Sequence, residues 1–293
     1  MGTAWVAVTL TCSAIASSGE SPNRLSPLGQ GLAAYVAEAE KEDGKLAADL
    51  ARFRERQLAE RKKGWRPPWD GYRTAKGRRH YEKLTTAQLA RECLSTGLLA
   101  HECLVYDRPA FGIARAGVFH DGFAVLYARE DLWEGIAAAC EDFAARLPKA
   151  SDLHDRMNIL MGLQTMKYAY AFPEFRKRLT GREQRLLAAH LKAFAAVRSY
   201  AERTARLRKD GKTSGFFGPG VAYGLACSSL LLIKRASPAA YPEALRTLAG
   251  GRLSFSQTDP EEVIRFADLA SAVVAEALAR LQQRTPAATS RPA

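Results

Sequence analysis

Cysteines at Cys-x-x-Cys spacing are missing from this sequence, and no histidine stands at zinc-finger distance from any of its five cysteines. A structural zinc site is therefore not expected, and no residue set implies a metal or a cofactor. His-Glu-x-x-His, Gly-x-Ser-x-Gly and EF-hand loops are equally lacking. Their absence removes the commonest metalloprotease, serine-hydrolase and calcium-sensor readings. Runs of β-branched residues bounded by hairpin dipeptides do not occur either, so nothing calls for a sheet.

A membrane span is also wanting. Gly215 to Ile233 is nineteen residues without a charge, but Gly215, Gly218, Pro219, Gly220 and Gly224 crowd its first half. The continuous part, Val221 to Ile233, rises only about 20 Å against a hydrocarbon layer of roughly 30 Å, and predicts a buried core helix. The same glycines lack the spacing and the βαβ setting of a dinucleotide loop.

Charge is absent from the first sixteen residues, where Ala4 to Ala16 forms an apolar to weakly polar run ending in Ala14-Ile15-Ala16. Residues 1–16 read as a signal peptide with a small-x-small cleavage site and Ser17 as the mature start, although the usual Lys/Arg n-region is missing. A lipobox on Cys12 would need a Leu where Thr9 stands. The expected location is the periplasm or the extracellular space.

What is present is helical. The chain has 293 residues, 47% hydrophobic and 25% charged, with alanine supplying 52. That suits one large core and an all-α multi-helix bundle or irregular helical array. Residues 17–63 read as an N-terminal long helix, with Leu32, Val36, Leu46, Leu50 and Phe53 on one face and Gly44 as the point where it would divide in two. Residues 64–84, opening with Gly64-Trp65-Arg66-Pro67-Pro68-Trp69-Asp70-Gly71, read as a loop, and residues 85–284 as the helical core.

Within the core, Thr85-x-x-Gln88 is a capping-box start for a helix to about Val105, and Asp107-Arg108-Pro109 marks a turn. A break is expected at His120-Asp121-Gly122. Ser151 and Asp152 start a helix whose stripe is Leu153, Met157, Leu160, Met161, Gln164 and Tyr168. Thr180-x-x-Glu183 starts another carrying Leu187, Leu191, Phe194, Val197 and Ala201, and Thr258-x-x-Glu261 starts the last, with Val263, Phe266, Ala270, Val273, Ala277 and Leu281. The tail, 285–293, has a disordered composition.

If Cys93 and Cys103 share one helix they are about 15 Å apart, too far for a disulfide unless the chain breaks near Gly97. Cys93, Cys103, Cys140 and Cys227 are expected as small buried hydrophobes.

The formal charge of +12 is uneven. Residues 61–83 sum to +7 and 172–212 to +8, while 84–171 sum to −3. The first cluster interleaves Arg61, Lys62, Lys63, Arg66, Arg73, Lys76, Arg78, Arg79 and Lys83 with Trp65, Trp69, Tyr72 and Tyr81. Cations that meet phosphates beside rings that stack suit an anionic ligand; the plainer reading is a linker whose tryptophans clip onto the core. The second cluster, including Arg203 and Arg206, falls on the polar face of an amphipathic helix. Arg66, Trp69, Arg73, Arg78, Arg79, Arg203 and Arg206 are the candidate binding residues. His101, His120, His154 and Asp155 are the candidate catalytic residues, should they converge, and His190 sits between Leu187 and Phe194 as a core histidine.

Over about residues 84–147 the chain resembles a group of exported bacterial helical proteins with no established activity. Their pattern of a Leu-x-x-x-Cys-Leu helix, Asn-Gly-Phe, Leu and Arg-x-Asp appears here as Leu89, Cys93, Leu94, Asp121, Gly122, Phe123, Leu126, Arg129 and Asp131, with Asp121 in place of Asn and Val125 where an acid is common. The resemblance implies export and helicity and carries no mechanism. The expectation is an exported helical binding or structural module that contacts an anionic polymer or protein at the cell envelope. The alternatives are a hydrolase with a histidine-based site between helices and a cytoplasmic nucleic-acid-binding protein.

Overall fold

Fifteen α-helices account for most of residues 25–41, 44–73, 75–106, 109–210, 218–254 and 259–284, the part described by the computed structural model. In order they are α1 Pro27–Glu40, α2 Gly44–Lys62, α3 Asp70–Arg73, α4 Arg78–Glu82, α5 Thr86–Leu94, α6 Leu98–Val105, α7 Pro109–Phe119, α8 Asp121–Ala128, α9 Leu132–Arg146, α10 Leu153–Ala171, α11 Pro173–Arg176, α12 Glu183–Lys209, α13 Gly218–Ala236, α14 Tyr241–Ala249 and α15 Pro260–Arg284. No strand occurs among the described residues, so the all-α expectation holds. The predicted signal peptide, the tail, the Asp107-Arg108 turn and the Thr258 cap lie outside the described residues.

Local chemistry sets many of the breaks. Ser26 caps α1 by accepting from Gly29 N, and its hydroxyl donates to the Ala249 carbonyl of α14, 2.6 Å away. The N-terminal segment is two helices rather than one. Thr85 and Gln88 form the expected capping box. Gly97, at φ +68°, divides the helix expected to reach Val105, because a left-handed residue ends one helix and any side chain there would be strained. His120 separates α7 from α8 by accepting from Gly122 N and Phe123 N through Nδ1. Asp152 caps α10 by accepting from Asp155 N. Thr180 does not cap α12: the helix starts at Glu183, and Thr180 Oγ1 instead accepts from Arg235.

At the centre lies α12, packed on α9, α13 and α15. Of its predicted stripe, Leu187, Phe194, Val197 and Ala201 are fully covered and Leu191 partly, and Val263, Phe266 and Ala270 of α15 close the other side. α13 is buried almost throughout, and no helix among the described residues is long and apolar enough to cross a membrane. α10 departs from expectation. Leu153 is 56% exposed, whereas Ile159, Leu163, Met166 and Tyr170 are buried, because neighbours press on α10 from several sides and no single stripe defines its inner face.

His190 of α12 is fully buried, its Nε2 3.0 Å from the Tyr170 hydroxyl and its Nδ1 2.9 Å from Ser229 Oγ. It is a satisfied core histidine. All four described cysteines are unpaired and buried. Burial pushes the Cys140 and Cys227 thiols up to about 12.

A front layer of α5 to α8, with α2 on α7, carries the candidate site. α6 and α7 approach so closely that a Cβ on Gly112 would lie 2.4 Å from the Glu102 carbonyl oxygen and 2.7 Å from Cys103 N. Backbone cannot yield as a side chain does, so Gly112→Ala is expected to cost about 1–3 kcal/mol, read as a lower denaturation midpoint at unchanged m.

Candidate binding face and the polar cluster beneath it

The segment from Arg61 to Lys83 is not a bare loop. Gly64, at φ +87°, ends α2, and α3 and α4 follow the Pro67-Pro68 turn. Aromatic side chains fasten it to the front layer. Trp65 meets Phe119 edge to face at 5.3 Å between centroids, the Trp69 ring lies 3.9 Å from His101, and Tyr72 and Tyr81 are buried. Trp65 and Trp69 remain 41% and 40% exposed, so each has one side on the core and another open to solvent.

Beneath the tryptophans lies a polar cluster built by α3, α6 and α7. Glu102 of α6 is fully buried, and neither carboxylate oxygen has a hydrogen-bond partner among the described residues. Its nearest cation is Arg115 of α7, at 3.7 Å, beyond hydrogen-bond length. The Arg115 guanidinium donates to the Tyr106 hydroxyl at 2.9 Å and lies over the rings of Trp65, Tyr106 and Phe119 at 5.3, 6.0 and 6.0 Å. The Tyr72 hydroxyl couples to Glu102 electrostatically without a well-formed hydrogen bond, and His101 Nδ1 and Arg115 Nε are also buried and unpartnered among the described residues.

Burial raises the Glu102 carboxyl above the usual carboxylate range, with Arg115 opposing the shift. Burial, and then Arg115, lowers His101. The cluster is a guanidinium caged by three rings and set against a half-compensated acid, which ties the Trp65 end of the segment to α7.

The far end is held by Glu92 of α5, which accepts from Lys76 Nζ at 3.0 Å and faces His80 Nε2 at 3.3 Å. Burial alone would raise Glu92, but these two partners outweigh it and lower its pKa. Arg61 pairs with Asp121 at 2.6 Å, Lys63 with Glu60, and Arg78 with Glu82 at 2.7 Å. Among the described residues Arg66 donates to the carbonyls of Arg61 and Trp65 and meets no carboxylate, so its charge is not neutralised there. Arg73 is exposed. Lys62, Arg79 and Lys83 are exposed and have no partner among the described residues.

Around α12 most cations are turned inward on their own fold. Arg182 pairs with Glu134, Arg185 and Lys192 share Glu141, and Arg198 bridges Glu202 and Asp268. Arg185, ahead of the opposing burial, holds Glu141 down to about 2. Arg203 donates to the Ala150 carbonyl at 3.0 Å, and Arg206 is exposed without a partner among the described residues. The two basic segments also pack on different elements, 61–83 against α7 and α8 and the C-terminal part of α12 against α15 and the Leu147–Lys149 turn.

The catalytic candidates are set in different surroundings. His120 is buried, 6.5 Å from the Tyr72 ring between centroids, with Nδ1 spent on capping α8. His101 lies tilted against the Trp69 ring and borders the cluster. His154 is exposed in the first turn of α10, and Asp155 beside it is bound to Arg146 at 2.5 Å. No group of three or more His, Cys, Asp or Glu among the described residues is placed to hold a metal ion.

Sequence reasoning passed over Glu102 and Arg115 as site residues. The signal was present: each is the lone formally charged residue of an apolar helix, Leu98–Val105 and Pro109–Phe119, and such a residue reaches burial only with a partner. No family model, no curated protein and no solved structure matches this chain.

Proposed function

We propose that the protein is a helical binding module that contacts an anionic polymer of the cell envelope through residues 61–83. The observation that carries this reading is the pair of half-exposed tryptophans held in place from behind, in the same segment as Lys62, Arg66, Arg79 and Lys83, whose charges meet no carboxylate among the described residues. Rings fixed by the core lose little freedom on stacking, and unneutralised cations supply phosphate or sulfate contacts. The α12 cluster is a poorer surface because most of its charge is already spent on Glu134, Glu141 and Asp268. Export is supported by the composition of residues 1–16.

Elution from phosphocellulose at several salt concentrations tests the face. The triple variant Lys62→Ala, Arg79→Ala, Lys83→Ala is expected to lower the slope of log affinity against log salt by about two to three. Arg182→Ala with Arg185→Ala, which removes internally paired cations, is expected to leave the slope unchanged. An unchanged slope in the triple variant would place the contact elsewhere. In a cytoplasmic protein the same face would serve nucleic acid; mature chain beginning at Ser17 in the envelope fraction decides for the envelope polymer.

A further inference from the structure

Between the buried Glu102 and the half-exposed Trp65 stands a single group, the Arg115 guanidinium, 3.7 Å from the carboxylate and 5.3 Å from the ring centroid. Glu102 has no exposed surface, and neither of its oxygens meets a hydrogen-bond donor among the described residues. Such a carboxylate has lost its water without gaining the donors that hold the charged form, so its neutral form is within reach. Arg115 does not depend on the acid for its place, because three rings and the Tyr106 hydroxyl hold it.

The surroundings leave Arg115 as the charge that Glu102 balances. From α3 the Tyr72 hydroxyl acts on the carboxylate, which in turn acts on Tyr106, just past the end of α6, and on Cys103. From α10, Lys167 and Tyr168 act on Cys103, and from α8 the Tyr127 hydroxyl is coupled to Tyr72. His101, beside Glu102 on α6, feels Arg115, while Glu92 of α5 is engaged by Lys76 and His80. The tyrosines and the thiol are neutral between pH 5 and 8.

We propose that Glu102 is a proton switch for the 61–83 face: ionised, it offsets Arg115 behind Trp65, and protonated, it leaves that guanidinium uncompensated, so that the face holds an anionic polymer more tightly in acid. The inference rests on the binding face proposed above. The carboxylate takes its proton from solvent and no other bond is made or broken. A bound polyanion favours the extra positive charge, so binding draws a proton onto Glu102, and by the same linkage affinity rises as pH falls through the range in which Glu102 titrates. With the guanidinium caged in both states, the change is one of charge rather than of shape.

The test is the affinity of the full chain for inorganic polyphosphate at low salt, read from tryptophan emission at pH 8 and pH 5, in the parent and in Glu102→Gln. The glutamine has the shape of the neutral acid without its charge. It is expected to keep the parent's helical circular dichroism and to bind on the order of threefold more tightly than the parent at pH 8, with the two converging at pH 5. The histidines of the face titrate in both chains and cancel in this comparison. Calorimetry at pH 6.5 in buffers of different ionisation enthalpy is expected to show proton uptake when the parent binds, and less when Glu102→Gln does. Equal affinities of the two chains at both pH values, or proton uptake unchanged by the substitution, would overturn the switch and leave the face standing; no binding of polyphosphate by either chain would overturn both. In the unmodified chain, the protonated-carboxyl infrared band is expected to grow on binding at pH 6.5, and its failure to grow would overturn the switch whatever the variant does.

Discussion

Replacing Arg115 with alanine is expected to destabilise the protein by about 3–5 kcal/mol at pH 8 and by clearly less at pH 5. The substitution leaves Glu102 fully buried with no cation beside it, and an uncompensated buried charge is among the costlier defects in a fold. Three ring contacts and the hydrogen bond to Tyr106 go with it.

The pH dependence follows from the acid. Burial already raises Glu102, and Arg115 is the main group restraining that rise, so the variant's Glu102 is raised further. Between the ordinary carboxylate value and the raised one the folded chain binds a proton that the unfolded chain does not, and stability therefore falls as pH rises through that window. Glu102→Gln in the Arg115→Ala background is expected to remove this slope and recover much of the loss, as measured by urea unfolding at the two pH values. Equal destabilisation at both pH values, with no recovery by Glu102→Gln, would show that the cost comes from lost packing rather than from the stranded acid. Trp65, freed of the guanidinium on its ring, is expected to shift its emission to the red.

The second large effect belongs to His190. Burial lowers its pKa to about 3, from an ordinary 6.5. Between those values the unfolded chain carries a proton that the folded chain excludes, so stability rises with pH across the window and is lost as pH falls, at up to about 1.4 kcal/mol per pH unit. Glu141, held down to about 2, also makes the fold acid-sensitive, but only below the ordinary carboxylate range. Between pH 6.5 and 4.5 His190 acts together with His101 and His120, which burial also lowers, and against Glu102, which burial raises, so its share is read as the difference between parent and variant. His190→Gln is expected to make stability less steeply dependent on pH there than in the parent, whereas His190→Leu strands the Tyr170 and Ser229 hydroxyls and is expected to cost about 2–4 kcal/mol at pH 7. A slope in His190→Gln equal to that of the parent would assign the acid sensitivity to other groups.

These effects bear on how far the amino-acid sequence discloses the fold. Punctuation written in neighbouring residues was legible: the Thr85–Gln88 box, the division at His120 and the Asp152 cap all involve groups within a few residues of each other, whereas the division at Gly97 was not expected within the helix to Val105. Stripes on α12 and α15 were legible because each presents one main face to the core. The inner side of α10 was not, since several elements surround it and periodicity then loses its meaning.

Charge behaved in the same way. A sum over residues 172–212 cannot show that Arg185 and Lys192 meet Glu141 of α9, or that Arg198 meets Asp268 of α15, because those pairings are made by tertiary packing. The Glu102–Arg115 cluster had a faint signature, a single charge in each of two apolar helices, but the cage that closes it comes from Trp65 and Tyr106, which the turns at Gly64 and Gly97 bring to the same place.

Those pairings narrow the proposed binding face to residues 61–83, where the tryptophans are anchored and Lys62, Arg79 and Lys83 meet no carboxylate among the described residues. Amide hydrogen exchange with and without poly(glycerol phosphate), mapped by peptide, tests that assignment most directly. Slowed exchange confined to peptides within residues 61–83 is the predicted result. Protection over residues 200–209 with none over 61–83 would contradict it.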